Sequence, residues 1–133
     1  MSLSEDIIKL LTDKNFAHLA TLMKDGSPQV TATWIDYADG YVLINTVEGR
    51  VKHRNVSRDP RVALSIADSN NPYHMVAMRG RVIEQVYEGA DEHIDKLAKR
   101  YLGLDKYPLR VTNEKRVILK IKPEQIYHQK PPR

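Results

Sequence analysis

Polar and apolar residues alternate along much of this chain, and helical spacing first occurs at its start. There, four apolar residues stand three or four positions apart, which places them on one face of a helix. They are Leu3, Ile7, Leu10 and Leu11. Ser2 and Glu5 have the spacing of a capping box, so we expect the helix to begin with them.

The segments that follow predict strands, because they alternate in polarity and are separated by turn sequences. The predicted strands cover residues 17–22, 29–37, 41–46, 61–67, 73–86, 117–121 and 125–128. Residues 24–26 and 38–40 are typical of the turns in an antiparallel meander. The polar residues 68–72 predict a loop before the longest strand.

Two further stretches predict helices. Residues 50–57 have little strand character and stop before Asp59-Pro60, because a residue that precedes proline avoids helical geometry. Residues 90–101 carry an amphipathic stripe, and Gly103 is suited to end that helix.

The number of strands determines the fold prediction. Six or seven strands in 133 residues favour a closed barrel, since closure removes exposed sheet edges. We expect the long strand 73–86 to bend at Gly80. The sequence therefore predicts a mainly β fold with flanking helices: a six- to seven-stranded antiparallel barrel formed by a single domain over residues 1–133.

Composition narrows the chemistry. Lys and Arg number 21 against 17 Asp and Glu, and this net charge of +4 suits an anionic small molecule but is too small to indicate nucleic acid. The absence of cysteine excludes disulfides and a thiolate nucleophile. No apolar run approaches 20 residues and no signal-like segment is present, so we expect a soluble, cytoplasmic protein with no membrane partner.

The common motifs of nucleotide binding and hydrolysis are missing. There is no GxGxxG, no GxxxxGKS/T and no GxSxG, so Rossmann, P-loop and hydrolase-type functions have no support. The five histidines lack metal-ligand spacing, and we expect no metal site.

The most informative segment runs from Asn45 to Asn55: a strand ends at Thr46, a loop with Gly49 follows, and a short helix begins. Arg50 and Lys52 lie at the start of that helix, where free backbone N–H groups would help them to bind a phosphate. The same cations are also compatible with an ordinary solvated helix face, so charge alone leaves both interpretations open.

Two strands carry weaker candidates. Thr31 and Thr33 face one side of a strand, where they could bind a ligand's polar edge or simply be β-branched strand residues. The second strand, 73–86, follows a polar loop and begins with Tyr73, His74 and Met75. They could cover a flat ring or donate a proton, although methionine also fills gaps in cores and a lone histidine often has no catalytic task.

Ordered motifs cover nearly the whole chain. They are Ala17-x-Leu19-Ala20-Thr21, Asp25-Gly26-x-Pro28-Gln29-Val30, Asp39-Gly40-Tyr41, Thr46-x3-Arg50-x-Lys52-x-Arg54-Asn55, Arg58-Asp59-Pro60-Arg61-Val62, Asn71-Pro72-Tyr73, Arg79-Gly80-Arg81-Val82 and Lys99-Arg100-Tyr101-Leu102-Gly103. Through this set the chain resembles the pyridoxamine 5′-phosphate oxidase-like, flavin-binding split β-barrel family. Within that family it is most similar to the branch that uses the deazaflavin coenzyme F-420.

The resemblance implies a homodimer with two cofactor sites at the subunit interface. Arg50 and Lys52 would bind the phosphate region of the cofactor, with Thr46 at the preceding strand end. Asn55 would help to fix the phosphate loop.

The resemblance also assigns residues to the ring of the cofactor. Thr31, Ala32 and Thr33 would lie along the ring and the sugar-like chain. Tyr73 and Met75 would lie near the ring, Tyr73 from the partner subunit. The catalytic residue stays unknown, with His74 and Tyr73 as the candidate proton donors.

Two departures from the family argue against oxidation of pyridoxamine phosphate. Gln29 and Trp34 stand where those oxidases carry basic residues, and their C-terminal substrate signature is missing. We therefore expect an F-420-dependent reductase that transfers hydride to a small organic substrate. The alternatives are an FMN-dependent oxidoreductase of the same family and a non-catalytic carrier of flavin or F-420. The modest charge and the lack of an RNA-binding aromatic motif argue against a nucleic-acid partner.

Overall fold

The computed structural model describes residues 3–131, in which three helices and seven strands occur. In chain order the elements are α1 (Glu5–Thr12), β1 (Ala17–Leu22), β2 (Pro28–Thr33), β3 (Asp36–Ala38), β4 (Tyr41–Val47), α2 (Val51–Arg58), β5 (Arg61–Asp68), β6 (Asn71–Val86), α3 (Ala90–Leu102) and β7 (Arg116–Gln129). The strands form one sheet in the order β2-β1-β5-β6-β7-β4-β3, and every pair is antiparallel. The predicted mainly β fold, with flanking helices and antiparallel strands, is confirmed.

The core lies on the inner face of the sheet. Alternate residues of five strands turn inward, as the two-residue period of a strand requires. Among those that are nearly inaccessible to solvent are Leu19, Ile44, Ile66, Val76, Leu119 and Ile121. Helix α1 packs its predicted apolar face, including Leu10 and Leu11, into this core.

The start of α1 differs from the sequence prediction. Ser2 lies outside the described residues, and the N-cap is Ser4, whose hydroxyl accepts a hydrogen bond from the Ile7 N–H at 3.3 Å. Glu5 then falls in the first helical turn, where the helix dipole favours an acid.

The predicted strand 29–37 is divided into β2 and β3 around Trp34 and Ile35. Helix α3 causes the break. The Ile35 N–H donates to the Tyr101 hydroxyl at 3.2 Å, and Arg100 donates to the Ile35 carbonyl at 2.9 Å. Since these side chains occupy the polar groups of the Ile35 backbone, no strand partner is needed there.

At the C-terminal end, the two predicted strands form the single long strand β7. Pro123 lies within it opposite Gly80, at a register irregularity between β6 and β7. A proline is tolerated at such a bulge because the regular ladder is interrupted there. A Cβ atom on Gly80 would collide with the Lys122 carbonyl oxygen, so this close approach requires glycine. The register between β6 and β7 shifts at Gly80, where the sequence predicts a bend, and β6 begins at Asn71 rather than at Tyr73.

Asp36 fixes α3 against the sheet. Its buried carboxylate accepts hydrogen bonds from Arg100 at 2.8 Å, His93 at 3.0 Å and Lys96 at 3.2 Å. Burial alone would raise the pKa of Asp36, but the hydrogen bonds from His93 and Arg100 outweigh it and hold the pKa well below its usual value. One carboxylate thus joins β3 to three positions on α3.

Candidate functional site

A cavity of about 200 Å³ opens where the end of β2, the start of α2, helix α3 and the start of β7 meet. Three cations and three aromatic rings dominate its lining. The cations are Arg50, Lys52 and Arg116, the aromatic residues are Phe16, Trp34 and Tyr107, and the remaining lining residues are Ala32, Thr33, Asn45 and Ile94. We call this space the cationic cavity.

The start of α2 brings Arg50 and Lys52 together. Arg50 is the N-cap of the helix, and its side chain makes no capping hydrogen bond. The first N–H groups of a helix have no partner within the helix and favour an anion nearby. Burial and repulsion from Arg50 and Arg116 lower the pKa of Lys52. The positive charges of the cavity therefore oppose one another, and a bound anion would relieve that repulsion.

Arg116 is the most deeply buried of the three cations, with 8% of its surface exposed. Its Nη1 donates to the Asn45 side-chain oxygen at 3.3 Å, and its guanidinium lies 4.7 Å from the centre of the Tyr107 ring. Its Nη2 has no hydrogen-bond partner in residues 3–131. A buried guanidinium nitrogen without an acceptor is costly, so an acceptor on a ligand would stabilise it.

The aromatic wall is held together by stacking. Trp34 stacks on Tyr101, and Tyr107 meets Trp34 edge-on with 5.8 Å between ring centres and an interplanar angle of 89°. The wall places flat apolar surface beside the cations. A ligand that has both an anionic group and an aromatic ring suits such a lining.

The structure brings four of the predicted cofactor-binding residues to this one cavity: Ala32, Thr33, Arg50 and Lys52. Thr31 lies on the same strand but does not line the cavity, and its buried hydroxyl has no partner in the described chain. Ala32 and Thr33 are far in sequence from Arg50 and Lys52, so it is the sheet and the packing of α2 that bring the two pairs of residues together.

Two other predicted residues are buried outside the cationic cavity. Thr46 is 1% exposed and belongs to the inward-facing series of β4, while its neighbour Asn45 faces the cavity. Asn55 is buried beneath α2, where it donates to the Thr21 hydroxyl at 2.9 Å and accepts from Arg58 at 2.9 Å. Asn55 therefore fixes α2 against β1, and its influence on the cavity is through the position of that helix.

The predicted ring-facing residues lie on β6 and do not line the cationic cavity. Tyr73 is 64% exposed, and the register of β6 places Met75 on the outer face of the sheet, with Ala77. The His74 Nε2 lies 3.0 Å from the Nε2 of His128, and its Nδ1 lies 3.9 Å from Asp68. Burial and the neighbouring His74 lower the pKa of His128. Within one chain, none of these groups reaches the three cations.

The sequence prediction gave no role to Asn45, the first residue of the informative segment, and it missed Arg116. A local signal was available for Asn45 alone, since it follows the apolar residues 42–44 of a predicted strand, whereas Arg116 ends the polar run 113–116. Asn45 follows Ile44, and Arg116 precedes the run 117–119. Buried polar residues of this kind need a partner, and that need marks them as candidates.

A larger cavity of about 480 Å³ lies on the outer face of the sheet, over β2, β1, β5, β6 and β7. Small side chains such as Ala20, Ala63 and Ala77 form much of its floor. Val30 and Tyr127, at its edge, are 62% and 61% exposed.

Residues 3–131 contain no group of three or more His, Asp or Glu side chains placed to hold a metal ion. None of the helices described in this range is long and apolar enough to cross a membrane.

Comparison with known proteins places the fold. A sequence profile of pyridoxamine 5′-phosphate oxidase matches residues 3–130. An F-420 reductase of known structure is 31% identical, with a TM-score of 0.81 over 94% of this chain and 98% of that chain. General stress protein 26 from Bacillus anthracis is 19% identical, with a TM-score of 0.71 over 99% and 97% of the two chains. HupZ from Group A Streptococcus is 18% identical, with a TM-score of 0.70 over 96% and 94%.

The chain belongs to the pyridoxamine 5′-phosphate oxidase-like split β-barrel family. The family match and the F-420 reductase both carry the names of oxidoreductases. At 18–19% identity, the other two structures support the fold alone.

Proposed function

We propose that this protein is an F-420-dependent oxidoreductase that transfers hydride to a small organic substrate, with the cofactor bound in the cationic cavity. The observation that carries the proposal is the position of Arg50, Lys52 and Arg116 around one space that also has an aromatic wall. The 31% identity to an F-420 reductase favours the deazaflavin over FMN.

The residues present fit such a cofactor. An anion would accept a hydrogen bond from the unpartnered Arg116 Nη2 and would offset the burial and repulsion that lower the pKa of Lys52. The phosphate region of a flavin or deazaflavin supplies such an anion. When bound, the cofactor supplies the hydride chemistry, and the protein supplies binding, orientation and electrostatics.

The chain's own residues perform three tasks in this proposal. Arg50 and Lys52 bind the phosphate at the start of α2. Ala32 and Thr33, at the end of β2, lie along the remainder of the cofactor and orient it. The aromatic wall around Trp34 excludes water from one side of the space, which strengthens the charge interactions inside.

The proposal includes a homodimer. A cavity of about 200 Å³ is small for a whole cofactor of this class, since ligand pockets commonly reach 300–1,000 Å³. The outer sheet face offers a surface for the partner, because it exposes Val30 and Tyr127 above small residues. Tyr73 and Met75 would then complete the site from the partner, near the ring, with Tyr73 or His74 as the candidate proton donor.

Titration of the purified apo-protein with F-420 and with FMN, under anaerobic conditions at fixed salt, tests the proposal. Arg50→Ala and Lys52→Ala should each weaken binding about ten- to a hundred-fold, since a charge-assisted hydrogen bond contributes roughly 1.5–3 kcal/mol. Saturating cofactor should largely restore the rate. Arg54→Ala is the matched control, since this exposed arginine lies on the same helix but outside the cavity lining.

The titration also separates the alternatives. Tight FMN binding without F-420 binding would favour an FMN-dependent oxidoreductase of the same family. Cofactor binding without turnover on any activated double bond would favour a carrier. Unchanged affinity in both cation variants would remove the cavity as the cofactor site.

Light scattering and a Tyr73→Ala variant test the dimer. A particle of about 31 kDa is expected from two chains of 15.3 kDa each. The Tyr73→Ala variant should remain dimeric but lose turnover or ring-dependent affinity. A 15.3 kDa particle at micromolar concentration, or unchanged cofactor spectra and rates in the variant, would contradict this part of the proposal.

A further inference from the structure

Glu114 lies between two of the cavity cations. Its Oε1 is 3.6 Å from the Arg50 Nη2, and its Oε2 is 3.9 Å from the Arg116 Nη2. A backbone hydrogen bond of 2.8 Å from the Glu48 N–H to the Lys115 carbonyl oxygen holds this segment beside the start of α2. One carboxylate therefore lies near both Arg50 and Arg116, two of the cations that line the cavity.

The approach is too long to satisfy either partner. Charge-assisted N–H···O bonds measure about 2.7–2.9 Å, shorter than both separations. Accordingly, the Glu114 Oε2 and the Arg116 Nη2 are both buried and both lack a hydrogen bond within residues 3–131. The carboxylate reduces the repulsion among the cations without filling their hydrogen-bonding capacity.

We propose that Glu114 is an internal counter-ion for Arg50 and Arg116. Its carboxylate occupies the position of an anion between them, and the phosphate group of the ligand displaces it. The inference deepens the proposed function, since it concerns the regulation and the specificity of that same cavity. It makes Glu114 a residue that sets the affinity an anion must exceed in order to bind in this cavity.

The displacement favours phosphate over carboxylate. An incoming carboxylate only exchanges one two-oxygen anion for another, so it gains little. A phosphate group presents additional oxygens, which can accept from Arg50, Lys52 and Arg116 together, and its tetrahedral shape reaches donors that lie in different planes. Because Glu114 competes with every anion, only a group that surpasses its contacts binds well.

Isothermal titration calorimetry with inorganic phosphate tests this inference without any cofactor ring. Glu114→Gln keeps the shape of the side chain and removes its charge, and we expect about ten-fold tighter phosphate binding than in the wild type. Acetate affinity should rise by a similar factor, because neither anion then meets a competing carboxylate. Glu124→Gln is the matched control, since Glu124 pairs with Arg81, which does not line the cationic cavity.

A second variant guards against loss of folding. In Glu114→Asp the shorter side chain withdraws the carboxylate from at least one of the two arginines, so an intermediate gain in phosphate affinity is expected. Adding Arg116→Ala to Glu114→Gln should abolish the gain, because the phosphate then lacks the guanidinium that Glu114 faces in the wild type. Equal or weaker phosphate binding in Glu114→Gln and Glu114→Asp, with wild-type circular dichroism, would overturn the inference.

The outcome is separable from that of the proposed function. Phosphate has no ring, so tighter phosphate binding in Glu114→Gln would support the counter-ion even where neither F-420 nor FMN binds. Conversely, a loss of cofactor affinity in Arg50→Ala and Lys52→Ala, together with no gain in Glu114→Gln, would leave the cofactor site in place and reject only the counter-ion.

Discussion

The Trp34 indole lies face to face with the Tyr101 ring, with 5.0 Å between ring centres and an interplanar angle of 5°. The Tyr101 hydroxyl also donates to the Asn15 carbonyl and accepts from the Ile35 N–H. This stack therefore joins α3 to the junction between β2 and β3, and it positions one wall of the cationic cavity. Because aromatic pairs add about 0.5–1.5 kcal/mol beyond burial, the wall is well fixed before any ligand binds.

Trp34 should report ligand binding directly, since it is the only tryptophan and lines the cavity. Adding F-420 or FMN should quench its fluorescence, with a midpoint equal to the calorimetric Kd. In Arg50→Ala the midpoint should move about ten-fold or more to higher ligand concentration. Trp34→Phe serves as the control, because it retains a ring but removes the signal. Unchanged emission while calorimetry shows binding would place the ligand elsewhere.

Removing the charge of Asp36 should destabilise the fold in a pH-dependent way. Because its pKa is lowered in the folded state, the contribution of Asp36 to stability is present above the ordinary carboxyl value near 4 and is lost as pH falls. Asp36→Asn should reduce the free energy of unfolding by about 3 kcal/mol near pH 7, and the difference should shrink below about pH 4.

Urea unfolding of both proteins at fixed protein concentration measures this difference. Asp105→Asn is a suitable control, since the Asp105 side chain is 89% exposed and its ion pair with Lys99 lies at the surface. That control should change stability by less than about 1 kcal/mol. A pH-independent difference for Asp36→Asn would show that lost packing, rather than lost charge, is responsible.

Lys52 should make anion binding sensitive to alkaline pH. Burial and the nearby Arg50 and Arg116 lower its pKa, so the ammonium loses its proton below the ordinary lysine value of about 10.4. Phosphate affinity should therefore fall as pH rises toward that value. In Lys52→Arg the guanidinium stays charged and the affinity should persist.

Calorimetry across pH 7–10 with inorganic phosphate compares the two proteins, and the titration of phosphate itself cancels in the comparison. Parallel pH profiles would show that Lys52 does not contact the anion.

Gly80→Ala should destabilise the sheet through a collision. The new Cβ meets the Lys122 carbonyl oxygen, and the backbone must move to relieve it, at a cost of about 1–3 kcal/mol or more. Gly26→Ala measures the cost of backbone strain without a collision, because Gly26 has a φ of 88° but no atom within 4 Å of the added Cβ. The control should cost about 1–2 kcal/mol. If urea unfolding shows that Gly80→Ala lowers the free energy of unfolding by no more than about 0.5 kcal/mol, as an ordinary surface substitution does, the close approach is contradicted.

Sequence alone determined the local elements and the faces they bury. The period of apolar residues located α1 and α3, and turn residues separated β1 from β2 and β3 from β4, because these signals depend on neighbours a few positions apart. Motif order also identified Arg50 and Lys52 as cations at a helix start, next to a strand end. These features need no knowledge of which strands pair.

Tertiary structure decided what completes the cavity. Asn45 and Arg116 are 71 positions apart, and only the pairing of β4 with β7 makes them partners. Likewise, the contacts of Ile35 with α3 interrupt a stretch whose own sequence favours one continuous strand. Local patterns carry no information on such contacts, because the side chain that satisfies a buried polar group comes from a distant element chosen by the whole fold. The third cation and its counter-ion Glu114 therefore became visible only once the sheet was assembled.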